Sequence, residues 1–134
     1  MAGGPAVVPD EVADGLATDG RRVVRRAGPD RYATAALLAE EIQAEVLAIL
    51  TDVEGVAIDF GGPDERWLRR VGVDELRRHA ADGHFREGSM GPKVDAVTTF
   101  TARTGRRAAI AALDDTIGAV HGDAGTQVVA EVGS

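Results

Sequence analysis

The chain has 134 residues, 44% of them hydrophobic and 28% charged, and a formal net charge of −7. That is long enough for one domain with its own core and too apolar for a disordered tail; the acidic balance argues against wholesale binding of nucleic acid or of an anionic membrane. Cysteine is absent, which excludes disulfides, thiolate zinc sites and a cysteine nucleophile and is compatible with a reducing cytoplasm.

In chain order, MAGGPAVVP (Met1 to Pro9) reads as a glycine turn and then a short apolar strand. Asp10 to Gly28 is polar, and Asp19-Gly20 predicts a hairpin with Val23 and Val24 in its second arm. Arg21, Arg22, Arg25 and Arg26 are either a solvated hairpin arm or a phosphate contact. Asp30 predicts the cap of a helix from about Arg31 to Ala44, with Ala35, Leu38 and Ile42 buried and Glu40, Glu41 and Gln43 facing water. EVLAIL, ending at Thr51-Asp52, reads as a buried central strand of a parallel sheet. A turn at Glu54-Gly55 leads to a short strand reaching Phe60, and GGPDERW reads as a loop. Val73 to Ala81 predicts a short helix with Gly83 near its C-terminal cap. A further helix is expected from Pro92 to about Ala102, a second buried strand in RRAAIAAL and a short helix from Thr116 to Val120. GTQVVAEV alternates and predicts a final strand at a sheet edge. The alternation of strands and helices predicts an α/β fold with a mostly parallel sheet flanked by helices. No long apolar run or charged-then-apolar leader stands out, so neither a membrane span nor a signal peptide is expected.

Lys93 is the single lysine beside fourteen arginines. With Gly91 just before the helix and Pro92 at its first position, Lys93 falls in the first turn. The helix dipole and unpaired amides are already positive there, so an exposed lysine costs about 0.3–1 kcal/mol. Two readings follow. The amides, dipole and ammonium together suit a phosphate. Alternatively, Lys93 points to solvent or pairs with Glu87 or Asp95. Thr51-Asp52 and Asp114-Asp115 end the two buried strands, where α/β sheets bind ligands, so all three segments can share one rim. His79, His84 and His121 lack metal-ligand spacing. Ser89 suits a helix cap or a phosphate donor, Trp67 packing over the sheet edge, and Glu54 a solvated turn.

LTDVEGVAIDFG, VDELRRHAADGHFREGSMGPKVDA, RRAAIAALDD and GDAGTQVV, in that order, resemble the C-terminal part of carbamate kinases, members of the amino acid kinase family. The resemblance runs from about Arg31 to Val129. It implies a single partial domain: residues 1–29 a glycine, strand and hairpin lead-in, and residues 30–134 the C-terminal nucleotide-binding half of a three-layer αβα fold. It also implies reversible phosphoryl transfer between ATP/ADP, with Mg2+, and carbamate/carbamoyl phosphate. The implied setting is cytoplasmic arginine metabolism, with a homodimer or a separately encoded N-terminal half as partner. Lys93 matches the family's phosphate-contacting lysine, with Arg31 in place of a second lysine. Gly88, Ser89, Met90 and Gly91 match the nucleotide-side loop; Thr51, Asp52, Val53 and Gly55 match the segment near base and ribose. No metal ligand is assigned. Tyr32 stands where the family carries an aspartate, and the family's N-terminal glycine loop and carbamate-binding segment have no counterpart among these residues. The alternative expectation is a catalytically inactive remnant or an interaction module of the same family.

Overall fold

The computed structural model describes residues 4–9, 16–18, 23–25, 31–59, 61–85 and 90–130. Nine strands are described: β1 (Ala6–Pro9), β2 (Leu16–Thr18), β3 (Val23–Arg25), β4 (Val46–Thr51), β5 (Val56–Ile58), β6 (Arg66–Leu68), β7 (Arg70–Gly72), β8 (Arg107–Ala112) and β9 (Thr126–Val129). The helices are α1 (Arg31–Glu41), α2 (Val73–Ala81), α3 (Met90–Thr104) and α4 (Thr116–His121), with a 3-10 turn at Leu113–Asp115 before α4. None of the described helices is long and apolar enough to cross a membrane.

The main sheet has the order β3-β2-β1-β4-β8-β9-β7. Its centre is parallel: β1 pairs with β4 and β4 with β8, with Val46 opposite Arg107 and Thr51 opposite Ala112. All six residues of β4 are buried, as a strand covered on both faces requires. Leu47 and Ile49 face a core built with Ala35, Ala36, Val97 and Phe100 from α1 and α3. Ala48 and Leu50 point the other way, onto Ala109, Ala111 and Ala119 of α4. This period of two puts helices on both sides and makes three layers.

The hairpin expected from the sequence is present, with Leu16 opposite Arg25; its turn and the side chains of the basic cluster lie outside the described residues. α1 stops at Glu41, earlier than expected. Gln43 takes a left-handed φ of 58°, and Ala44 N–H donates to the Ala39 carbonyl at 2.9 Å while Gln43 N–H donates to that of Glu40 at 3.1 Å. These bonds close the helix in a Schellman arrangement with glutamine where glycine is usual. α2 has the expected bounds. Two strands were not expected: Arg66–Leu68 of the supposed loop pairs antiparallel with β5 in a separate small sheet, and Arg70–Gly72 pairs parallel with β9. Phe60 lies outside the described residues.

The expectation that the last strand lies at an edge is overturned. β9 sits between β8 and β7. Its polar residues are buried because each has partners. Thr126 Oγ1 accepts the Val56 N–H at 2.8 Å and donates to the Leu68 carbonyl. Gln127 donates to the Ala124 carbonyl at 2.7 Å and accepts from Arg107.

Arg103 of α3 donates two hydrogen bonds to Glu40 of α1, Nε to Oε1 at 2.6 Å and Nη2 to Oε2 at 3.1 Å. The Arg103 hydrogen bond holds the Glu40 carboxyl below its ordinary pKa. A depressed carboxyl contributes stability above its unfolded pKa and loses it as pH falls through the folded one. The Glu40–Arg103 coupling, measured by melting a double-mutant cycle with Glu40→Gln and Arg103→Gln, is therefore expected to be present at neutral pH and to vanish in acid. A coupling that persists after the carboxylates have protonated contradicts this.

Candidate functional site

Lys93 is placed by the face of the helix that carries it. α3 begins at Met90, so Pro92 is its third residue and Lys93 its fourth. Proline is tolerated there because the first four N–H groups of a helix have no intrahelical partner. Lys93 is spaced with Val97, Phe100 and Thr101 at i, i+4, i+7 and i+8, and all four are buried. The lysine therefore occupies a core position. Only 2% of it is exposed, which rules out the solvent-facing reading; Glu87 lies outside the described residues.

The Lys93 ammonium lies at the C-terminal end of β4. Nζ donates a long hydrogen bond of 3.3 Å to Thr51 Oγ1, and the Thr51 hydroxyl donates to Asp52 Oδ1 at 3.2 Å. The ring of Tyr32 in α1 has its centroid 5.8 Å from the same Nζ. The first turn of a fifteen-residue helix, a lysine and a threonine hydroxyl thus gather beyond the central parallel strand. This is a donor set suited to phosphate oxygens.

A cleft of about 370 Å³ opens past the same strand ends, lined by residues that include Glu54, Gly55, Trp67, Arg69, Asp115 and Gly125. Glu54 is three residues beyond Thr51, so the cleft mouth is within about 11 Å of the lysine's partner along the chain. The walls come close because glycine permits it. A Cβ on Gly55 would stand 2.7 Å from Thr126 Oγ1 and 3.0 Å from the Thr126 backbone nitrogen. Glu54, Asp115 and Asp123 make the cleft acidic, relieved by Arg69, and Trp67 gives it an aromatic wall.

Of the expected site residues, Thr51, Asp52 and Lys93 meet through hydrogen bonds, and Gly55 lines the cleft. Val53 is half-buried in the turn between them. Met90 opens α3 and packs on the main core. Gly91 lies against the backbone carbonyl of Phe85, 3.0 Å from where a Cβ would be. Arg31 is the first residue of α1, its side chain outside the description, and Gly88 and Ser89 also lie outside the described residues. Asp115 reaches the cleft. His79 and His84 instead stack on each other edge to face at 5.5 Å, beside Glu75 and Asp59. Arg69, Asp123 and Gly125 of the cleft went unread as site residues, as did the contact of Tyr32 with Lys93. GDAGTQVV contained the clue for two of them, a glycine and an acid ahead of a buried strand.

No group of three or more histidine and carboxylate side chains among the described residues could hold a metal ion. Magnesium in nucleotide sites rests mainly on the phosphates with one or two carboxylates, and Asp52, exposed at the end of β4, is a carboxylate in such a position.

Comparison with known proteins follows the same residues. The model of the amino acid kinase family matches residues 15–112. The carbamate kinase of Thermococcus kodakarensis is 55% identical over 94 residues, 70% of this chain and 30% of its own length. The carbamate kinase of Pyrococcus horikoshii is 50% identical over 91 residues, 68% of this chain and 29% of its own. In structure, a carbamate kinase from Giardia lamblia bound to AMP-PNP superposes with a TM-score of 0.73 at 35% identity, covering 85% of this chain and 36% of that one. The chain thus spans about a third of the length of the relatives it matches.

Proposed function

The chain belongs to the amino acid kinase family, and from that premise we propose that it supplies the nucleotide-binding half of a carbamate-kinase-type phosphoryl transfer between ATP/ADP, with Mg2+, and carbamate/carbamoyl phosphate. The observation that carries this reading is the single lysine, buried at the end of the central parallel strand and hydrogen-bonded to Thr51. Electrostatics orders the ligand. The acidic, Trp67-walled cleft suits a heterocycle and the hydroxyls of a sugar, which donate to carboxylates. The Lys93 and Thr51 end suits the phosphates. Arg31 joins Lys93 as the second proposed catalytic cation, and Val53 and the segment Gly88 to Gly91 complete the proposed nucleotide contacts.

Phosphoryl transfer depends on aligning two substrates and stabilising the charge of the moving group. These 134 residues correspond to about a third of the relatives' length, so the rest of the clamp comes from further chain, a second copy or a separately encoded half. The proposed setting is cytoplasmic. A second reading, nucleotide binding without turnover, is favoured by one observation: a buried Tyr32 ring faces Lys93 where the resemblance implies a carboxylate.

Trp67 is the only tryptophan and lines the cleft, so its emission reports occupancy. Titration with MgADP is expected to give a saturable change in fluorescence. The 134 residues on their own are expected to form no ATP from carbamoyl phosphate and ADP above a Lys93→Met control. A flat titration contradicts the nucleotide reading; turnover above the control contradicts the need for a partner.

A further inference from the structure

Gln127 is 5% exposed in β9, between Thr126 and Val128, both fully enclosed. A valine would fill such a position without the cost of burying polar atoms, so the amide needs a reason to be there. Both ends of the amide are engaged. Oε1 accepts from Arg107 Nη1, and Nε2 donates to the Ala124 carbonyl at 2.7 Å and to that of Ala119 at 3.2 Å. A guanidinium only donates and a carbonyl only accepts, so these partners fix which way the amide points. Arg107 also donates to the Ala119 carbonyl at 3.1 Å and to that of Val120, at the end of α4. Burial lowers the pKa of this guanidinium and Arg70 repels it, so its charge is partly withdrawn from water to make these bonds. The network reaches the cleft. α4 joins two parts of its lining, Asp115 just before the helix and Asp123, Ala124 and Gly125 just after it. The N–H groups of Asp123 and Ala124 both donate to the Gly118 carbonyl, at 2.7 and 3.2 Å. This wall is thus tied to α4 through its N–H groups and to β9 through Gln127.

We propose that Gln127, held by Arg107, is a positioning residue for the nucleoside end of the cleft: its amide fixes the Ala124 carbonyl and with it the wall formed by Asp123, Ala124 and Gly125. This rests on the nucleotide reading. A hydrogen bond from a sugar hydroxyl to the Asp123 carboxylate depends on where the backbone beneath it stands. A wall set before the ligand arrives spares the complex the cost of ordering it. The phosphate end stands on other elements, Lys93 on α3 and Thr51 on β4, so the network of Gln127 bears on one end of the ligand and not on the other.

Gln127→Glu keeps the shape of the side chain and the acceptor for Arg107 but has no donor for the Ala124 carbonyl. Its MgADP affinity is expected to fall about threefold to tenfold, while its affinity for magnesium tripolyphosphate, which has no nucleoside, stays within about twofold of the wild type. Lys93→Met is expected to weaken both ligands. The chain has two glutamines, Gln43 and Gln127, and no asparagine, so the Gln127 amide gives one of two side-chain NH2 signals in an NMR spectrum, and Gln43→Glu assigns it. That signal is expected to shift on titration with MgADP and to stay in place with tripolyphosphate, a measurement that stands even should Gln127→Glu fail to fold. Equal losses for the two ligands in Gln127→Glu, or no loss for either, overturn the role of Gln127, and so does an amide signal that saturating MgADP leaves unmoved. In each of those cases a loss of MgADP affinity in Lys93→Met keeps the nucleotide reading standing. If Lys93→Met binds MgADP as the wild type does, or the wild type binds neither ligand, the nucleotide reading falls and the role of Gln127 with it.

Discussion

Gly125→Ala is expected to destabilise the fold by about 2–5 kcal/mol, a large part of the roughly 5–15 kcal/mol that holds a domain together. Two costs add at this position. The backbone has φ 71°, a left-handed conformation that costs an alanine about 1–2 kcal/mol. A Cβ would also stand 2.4 Å from the Ile110 carbonyl oxygen and 2.5 Å from Ala111 Cβ. Both belong to β8, whose backbone is pinned between β4 and β9 and cannot give way. Overpacking of this kind adds about 1–3 kcal/mol. Gly105 supplies the control. Its φ is 75°, but nothing lies within 4 Å of its missing Cβ. Gly105→Ala is therefore expected to cost only the conformational part, about 1–2 kcal/mol. Urea unfolding of the two variants separates the contributions. Equal midpoints would contradict the close approach of the cleft loop to β8.

Lys93→Met carries the second large expectation, a loss of MgADP affinity of about tenfold to a hundredfold. A charge-assisted contact to phosphate is worth about 1.5–3 kcal/mol, and methionine removes the charge while keeping the length of the side chain. Alanine is the wrong probe here. Lys93 is among the largest fully buried side chains, so Lys93→Ala would leave a cavity and destabilise the protein whatever the lysine does for ligands. Without ligand, Lys93→Met is expected to melt close to the wild type, because methionine fills much of the volume of the buried lysine stem and leaves no cavity.

The parallel centre of the sheet was legible because VLAIL and AAIAAL are continuous apolar runs of strand length bounded by polar residues, the pattern of a strand covered on both faces. α2 was legible as a short helix that ends at the Gly83 turn. The position of β9 was not, because Thr126 and Gln127 imitate the polar residues of an edge. Three of their partners, Leu68, Val56 and Arg107, come from three other strands, and no local pattern announces that a polar side chain will be satisfied at such range. Lys93 was recognised as out of place in a first turn for an incomplete reason. The cost assigned to it assumes an exposed helix, whereas its spacing with Val97, Phe100 and Thr101 puts it inside. That stripe was readable; a lysine on it reads as an exception until the strand end and the ring beside it are known. The motifs of the resemblance supplied the chemistry that periodicity could not. They did not reveal the ring of Tyr32 next to the ammonium, which depends on how α1 packs against α3.

On the proposed reading, Lys93 is buried at the end of β4 to meet a nucleotide phosphate. Thermal melting of the wild type and of Lys93→Met, each with and without MgADP, tests it most directly. A ligand at about 100 times its Kd stabilises the folded state by about 2.7 kcal/mol, which for a domain of this size raises Tm by several degrees. The two proteins are expected to melt alike without ligand, with a clear rise for the wild type in MgADP and a much smaller rise for Lys93→Met at the same concentration. A marked loss of stability in ligand-free Lys93→Met, with the MgADP-induced rise the same in both proteins, would make the lysine a structural residue and overturn its role at the phosphate.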